Sequence, residues 1–195
     1  EDWEFWMHML KEQDLLAPNA QTVAFTYIGR ELTWPIYWEG TLGLAKADLD
    51  RASQAINARL AASGGSARVA VLKAIVSQAS SAIPVVPLYV ALLFKVMKEQ
   101  GLHEDCVSHI YRLFSTQLVP GAEQRLDDQG RIRVDDQELS EPVQQAVRQR
   151  WPEVTTDNLE QLGDLAGFRE DFLRIFGFGI AGVDYAAEVD PQQIA

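Results

Sequence analysis

The chain has 195 residues, enough for one domain with a sizeable core. Its 28 acidic and 17 basic residues leave a net charge of −11. That argues against nucleic acid as a partner, because phosphate binding wants clustered Lys and Arg. A single cysteine, Cys106, excludes an internal disulfide, and with three scattered histidines (His8, His103, His109) no metal site is expected. No secretion signal opens the chain. The longest apolar run, Ala82 to Phe94, contains Pro84 and Pro87 and falls short of the roughly 20 residues that cross a bilayer. No membrane association and a reducing, cytoplasmic setting are therefore expected.

The sequence starts in mid-pattern at Glu1, so further sequence upstream is expected. Residues 1–16 read as an amphipathic helix with Trp3, Trp6 and Leu10 on its apolar side, ended by Pro18-Asn19. Thr22 to Ile28 is β-rich, almost continuously apolar and closed by Gly29, as a strand buried on both faces should be. Arg30 to Gly43 reads as a long connection. Leu44 to Ala62 has helical apolar spacing at Leu49, Ala52, Ile56 and Leu60, and stops at Gly64-Gly65. Ala67 to Val76 is the second β-rich run. Strand, helix, strand in that order is a right-handed crossover and implies a parallel sheet.

Ser80 or Ser81 can cap the apolar helix that follows, with Pro84 and Pro87 near its first turn and Gly101 at its end. Residues 103–118 look helical. Val119 to Asp136 is polar and turn-rich, with a hairpin signal at Gln129-Gly130; Asp127-Asp128 and Asp135-Asp136 read as a solvated turn. A helix from Ser140 to Trp151, a short one capped by Thr156 and a last one over Phe168 to Phe176 follow. Ile180 to Val183 reads as a final short strand, and the tail after Asp190 as loose. The fold class is α/β, with about three strands and many helices. Three parallel strands form no covered sheet alone, so residues 1–195 read as one side of a Rossmann-like, doubly wound parallel sheet whose other strands lie elsewhere.

Chemistry concentrates at Tyr27-Ile28-Gly29-Arg30-Glu31-Leu32-Thr33-Trp34-Pro35-Ile36-Tyr37, followed eight residues later by Lys46. Nine positions along an α-helix turn by about 180°, so Tyr37 and Lys46 cannot share one face of one regular helix. Gly40 and Gly43 offer a solution: Tyr37 on the loop, and Lys46 in the first turns of a helix starting near Thr41 to Gly43. A phenol beside an ammonium is a proton donor whose anion is stabilised, and the ammonium is expected to lower the phenol pKa. Taken from spacing alone, the same pair could be a half-buried tyrosine and a solvated lysine.

At these residues the sequence resembles the FabV-type enoyl-thioester reductases, relatives of the short-chain dehydrogenases with a Tyr-x8-Lys pair. Leu72 to Pro84 (LKAIVSQASSAIP), Leu92 to Glu99 (LLFKVMKE) and Phe176 to Tyr185 (FGFGIAGVDY) match the family as well, in the same order. The resemblance runs from Glu1 to about Pro191. It implies NADH-dependent reduction of the trans-2 double bond of an enoyl thioester, on acyl carrier protein or CoA, in fatty-acid biosynthesis. Tyr37 would be the proton donor, and Lys46 would support it and the ribose of NADH. Tyr27 would contact substrate. The backbone of Ile75, Val76 and Ser77 would meet the nicotinamide carboxamide, with Ser77 also near substrate, where the family often has Thr. The apolar helix over 82–100 could wall an acyl slot or be an ordinary buried helix. The family's Gly-rich phosphate loop is not in this chain, so the resemblance implies the C-terminal half of a monomeric parent. The N-terminal nucleotide-binding half is then a missing partner, without which the fragment is expected to be inactive. A non-catalytic acyl-chain or protein-binding helical module is the alternative.

Overall fold

A computed structural model describes residues 2–190 and 192. Glu1 and most of the tail expected to be loose lie outside the described residues. Three strands, β1 (Gln21–Thr26), β2 (Ser66–Val71) and β3 (Ile132–Arg133), form a parallel sheet in the order β1-β2-β3. The register runs Gln21↔Ser66 to Thr26↔Val71, so β1 and β2 end level with one another. Nine helices surround them among the described residues: α1 (Asp2–Glu12), α2 (Trp34–Tyr37), α3 (Thr41–Leu60), α4 (Gln78–Ala82), α5 (Val86–Glu99), α6 (Cys106–Gln117), α7 (Glu141–Arg150), α8 (Leu159–Leu162) and α9 (Leu165–Arg174).

The pleat of β2 sends alternate side chains to opposite faces. Ala67 joins Met7 of α1 and Ile56 and Leu60 of α3 on one side, where Trp3 and Leu10 also pack. Ala70 meets Leu113 of α6 and Ile132 of β3 on the other. Beyond the carboxyl ends of the strands, α5 is buried along most of its length and packs with Val143 and Val147 of α7 and Phe168 of α9. It walls the space into which the strands open.

Several sequence expectations change. Trp6 is 59% exposed and does not belong to the packed side of α1. β1 is half-buried and Phe25 is 49% exposed, because β1 is an edge strand, pairing only with β2 among the described residues. Ile180 to Val183 is not a strand: Gly179 and Gly182 take φ of 74° and 82°, which breaks the extended line, and the third strand is β3 instead. The expected hairpin reduces to one antiparallel bridge, Leu126↔Ile132, around the turn at Asp127–Gly130.

The acidic turn is not simply solvated. Arg131 and Arg133 pair with Asp127, and Arg133 also pairs with Asp135, which is buried. The apolar helix splits in two. Pro84 forces Ile83 into extended backbone (ψ 123°), which ends α4, and Pro87 sits in the first turn of α5. Ser77, rather than Ser80 or Ser81, caps α4: its hydroxyl accepts from the Ser80 N–H while Ser80 Oγ accepts from the Ser77 N–H. α8 starts after Asn158 rather than at Thr156, and α9 lies three residues earlier than 168 at its start.

Candidate active site

Tyr37 does not sit on a loop. Arg30 to Gly40 folds into the single turn α2, where the Tyr37 N–H donates to the Thr33 carbonyl (2.8 Å) and Tyr37 is the last helical residue. The Trp38 and Glu39 N–H groups both donate to the Trp34 carbonyl (2.9 Å each) and close that turn. Gly40 then goes extended and α3 begins at Thr41, putting Lys46 in its second turn. The two helices meet tightly: a β-carbon on Gly43 would lie 1.7 Å from the Trp38 carbonyl oxygen. The nine-residue spacing is thus resolved across two helices rather than along one.

Tyr37, Lys46, Tyr27, Ile75 and Ser77 line one cleft of 220 Å³ at the carboxyl ends of β1 and β2. Val86 and Val90 of α5 form its apolar far wall. Open α/β sheets bind ligands at this end of the strands. Val76 does not line the cleft; it is buried in the α5 core. The Lys46 ammonium lies 4.9 Å from the centre of the Tyr37 ring and donates to Thr26 Oγ1 at 2.8 Å. It therefore meets the ring of Tyr37, a cation–π contact worth about 0.5–2 kcal/mol. Tyr27 meets the same ring edge-on, with centroids 5.2 Å apart at 72°.

Burial weakens the Lys46 charge and brings its pKa down to about 8, with Asp50 pulling the other way. The phenol of Tyr37 is not lowered by that ammonium. Burial moves it upward, so Tyr37 keeps its proton at neutral pH.

Behind Tyr27 is a buried carboxyl that sequence reasoning misses. Glu138 Oε1 accepts from the hydroxyls of Tyr27 (2.9 Å) and Tyr89 (2.8 Å), and Oε2 accepts from the Ala74 N–H (2.5 Å). Burial raises the Glu138 pKa, and these hydrogen bonds oppose the rise. Thr26 and Tyr89 escape the sequence reading as well. Thr26 is readable as the one polar residue ending an apolar strand. Glu138 lies 111 residues from Tyr27, and no local signal ties them.

The family comparisons divide the chain in two. Residues 1–119 match the family described as trans-2-enoyl-CoA reductase catalytic region, and residues 126–189 match one described as enoyl reductase FAD binding domain. The first match alone covers more than half of the chain. This chain belongs to the enoyl reductase family. It is 59% identical to an enoyl-[acyl-carrier-protein] reductase [NADH] of Opitutus terrae and 58% identical to one named FabV of Aeromonas salmonicida. Each alignment covers 98% of this chain and 48% of the relative, so the chain spans about half the length of these reductases.

Among solved structures it superimposes on a trans-2-enoyl-CoA reductase of Clostridium acetobutulicum in complex with NADH. The TM-score is 0.92 at 42% identity, covering 97% of this chain and 48% of the other. The corresponding enzyme of Treponema denticola, in complex with NAD, gives 0.88 at 45%, covering 96% and 47%. The fold is accordingly α/β with a Rossmann-like parallel sheet. No helix among the described residues is long and apolar enough to cross a membrane.

The cleft fits part of a dinucleotide. At 220 Å³ it is smaller than the roughly 300–1,000 Å³ of a complete small-molecule site, and a nicotinamide ring fits beside Lys46 and Tyr37. None of residues 126–189, to which the FAD description applies, lines this cleft.

Proposed function

We propose that this chain is the catalytic C-terminal half of an NADH-dependent reductase acting on trans-2-enoyl thioesters of acyl carrier protein or CoA, in fatty-acid biosynthesis. One observation carries the reading: a protonated phenol and a half-desolvated ammonium converge in an apolar cleft at the ends of two parallel strands. NADH, when bound, supplies the hydride. What remains is to bind the thioester and to answer the negative charge that builds on its oxygen.

Tyr37 is the group for that. Its raised pKa keeps its proton in place until the oxygen beside it becomes more basic, and it then donates. Lys46 stabilises the phenolate left behind and offers donors to the ribose hydroxyls. Thr26 fixes the rotamer of Lys46 through the 2.8 Å hydrogen bond. The backbone of Ile75, Val76 and Ser77 is proposed to meet the carboxamide. Ser80 Oγ already donates to the Ile75 carbonyl (3.0 Å), so that stretch is braced before any ligand arrives. Val86 and Val90 give the acyl chain an apolar wall.

The experiment is NADH oxidation with crotonyl-CoA by the complete reductase. Tyr37→Phe is expected to lower kcat by roughly a hundredfold or more, in line with the loss of a general acid. Turnover at the wild-type rate would rule Tyr37 out as the proton donor.

A further inference from the structure

We propose that Glu138 is a positioning residue for this reaction: by accepting or giving a hydrogen bond at Oε1, it decides whether the Tyr27 hydroxyl proton points into the protein or toward the cleft. The proposal rests on the reductase reading above. It starts from a count of protons. Tyr27 has one hydroxyl proton, and in the structure Glu138 Oε1 takes it. Tyr27 therefore has no donor left for a thioester oxygen while Glu138 is a carboxylate.

The surrounding bonds fix which way each proton runs. Gln144 Nε2 lies 2.8 Å from the Glu138 carbonyl oxygen, which can only accept, so the amide nitrogen faces inward. The same nitrogen donates to the Tyr89 hydroxyl at 3.1 Å, so Tyr89 must pass its own proton to Glu138 Oε1. The Ala74 N–H occupies Oε2. A proton taken up on Oε1 can aim only at the Tyr27 oxygen, because the Tyr89 hydroxyl fills the other side of Oε1. Tyr27 then accepts from Glu138 and its own proton is freed; the Tyr89 hydroxyl is a neighbouring acceptor, and a thioester oxygen in the cleft that Tyr27 lines draws the proton there instead. No covalent bond is exchanged except the protonation of the carboxylate by solvent.

The groups facing Glu138 come from four elements. Tyr27 follows β1, Tyr89 is on α5, Gln144 is on α7, and Lys73 follows β2 with its buried ammonium on the Ala74 carbonyl. Arg30 binds the neighbouring Leu139 carbonyl. On Glu138's own segment Asp135 and Asp136 are paired with Arg133 and Arg112. Burial raises the Glu138 pKa, which makes the acid form accessible.

The test is the pH profile of kcat/KM for crotonyl-CoA with the complete reductase. Losing one hydrogen bond to the thioester oxygen should lower kcat/KM by about tenfold as Glu138 deprotonates, after which the value levels off. Glu138→Gln cannot ionise, so the fall disappears; with Oε1 on Ala74 and Nε2 on Tyr27 the low-pH value persists, the Tyr89 proton turning off that nitrogen, which cannot accept it. Tyr27→Phe also removes the fall, but at the lower level. The separate decline near the Lys46 pKa stays in both variants. A profile that keeps its fall in Tyr27→Phe overturns the role of Glu138, even if Glu138→Gln does not fold. So does a wild-type profile without that fall, in a protein that turns over normally. A wild-type protein that oxidises no NADH with crotonyl-CoA removes the reductase reading itself, and this proposal with it.

Discussion

Lys46 is the residue at which pH should act most directly. Its charge is lost as pH rises through about 8, while Tyr37 keeps its proton. Turnover is thus expected to decline on the alkaline side of pH 8, and Lys46→Met should give a low rate with no such decline; a stopped pH series of NADH oxidation checks both. A second residue acts on stability. His103 is held neutral by burial, with its pKa down at about 4, and packs its ring 4.6 Å from Phe94. The unfolded chain takes up that proton below about pH 6.5, so the unfolded state binds more protons between the two values. The contribution is fully present above pH 6.5 and is lost as pH falls toward 4. After discounting for partial exposure, roughly 1 kcal/mol should be lost over this window. Urea melts at pH 7.5 and 5 should show a smaller drop in His103→Phe than in the wild type.

At the level of elements, the site depends on how closely α3 can approach α2. Gly43→Ala places a methyl against the Trp38 carbonyl and must push α3 outward, carrying Lys46 away from Tyr37. Misplacement by about 1 Å can cost on the order of a hundredfold in rate, and that is the loss expected, together with a lower melting temperature. Gly29 is the other constrained position. Its φ is 70°, and a β-carbon there would lie 2.7 Å from the Tyr27 hydroxyl, so Gly29→Ala should destabilise by about 1–3 kcal/mol in a chemical melt. α5 faces two ways: Val86 and Val90 line the cleft while Leu92 and Leu93 are fully buried in the core. Leu92→Ala is accordingly expected to cost about 2–5 kcal/mol by the cavity it leaves.

For the whole molecule, the size of the cleft matters more than any single contact. Its volume is below that of a complete small-molecule site, and β1 has one edge unpaired among the described residues. Both features agree with a chain half as long as the reductases it matches. We expect NADH fluorescence to be unchanged by the isolated chain at concentrations that saturate the complete protein. A blue shift with the isolated chain alone would overturn this division of labour.

How much of this is legible in the sequence follows from the range of the interactions involved. The β1–α3–β2 crossover and the Tyr37–Lys46 pair can be read from Thr22 to Val76, because apolar period and residue spacing are local properties of the chain. The break between α4 and α5 is also written locally, in Pro84 and the residue before it, although the apolar run around it reads as one helix. Ile180 to Val183 looks like a strand because its composition is right, while Gly179 before it and Gly182 within it turn the backbone away. What only the tertiary structure decided are the contacts between distant segments: Glu138 on Tyr27, Thr26 on Lys46, and β3 rather than a C-terminal strand completing the sheet. A buried carboxyl finds its donors wherever packing brings them, so its partners leave no periodic or spaced trace along the chain.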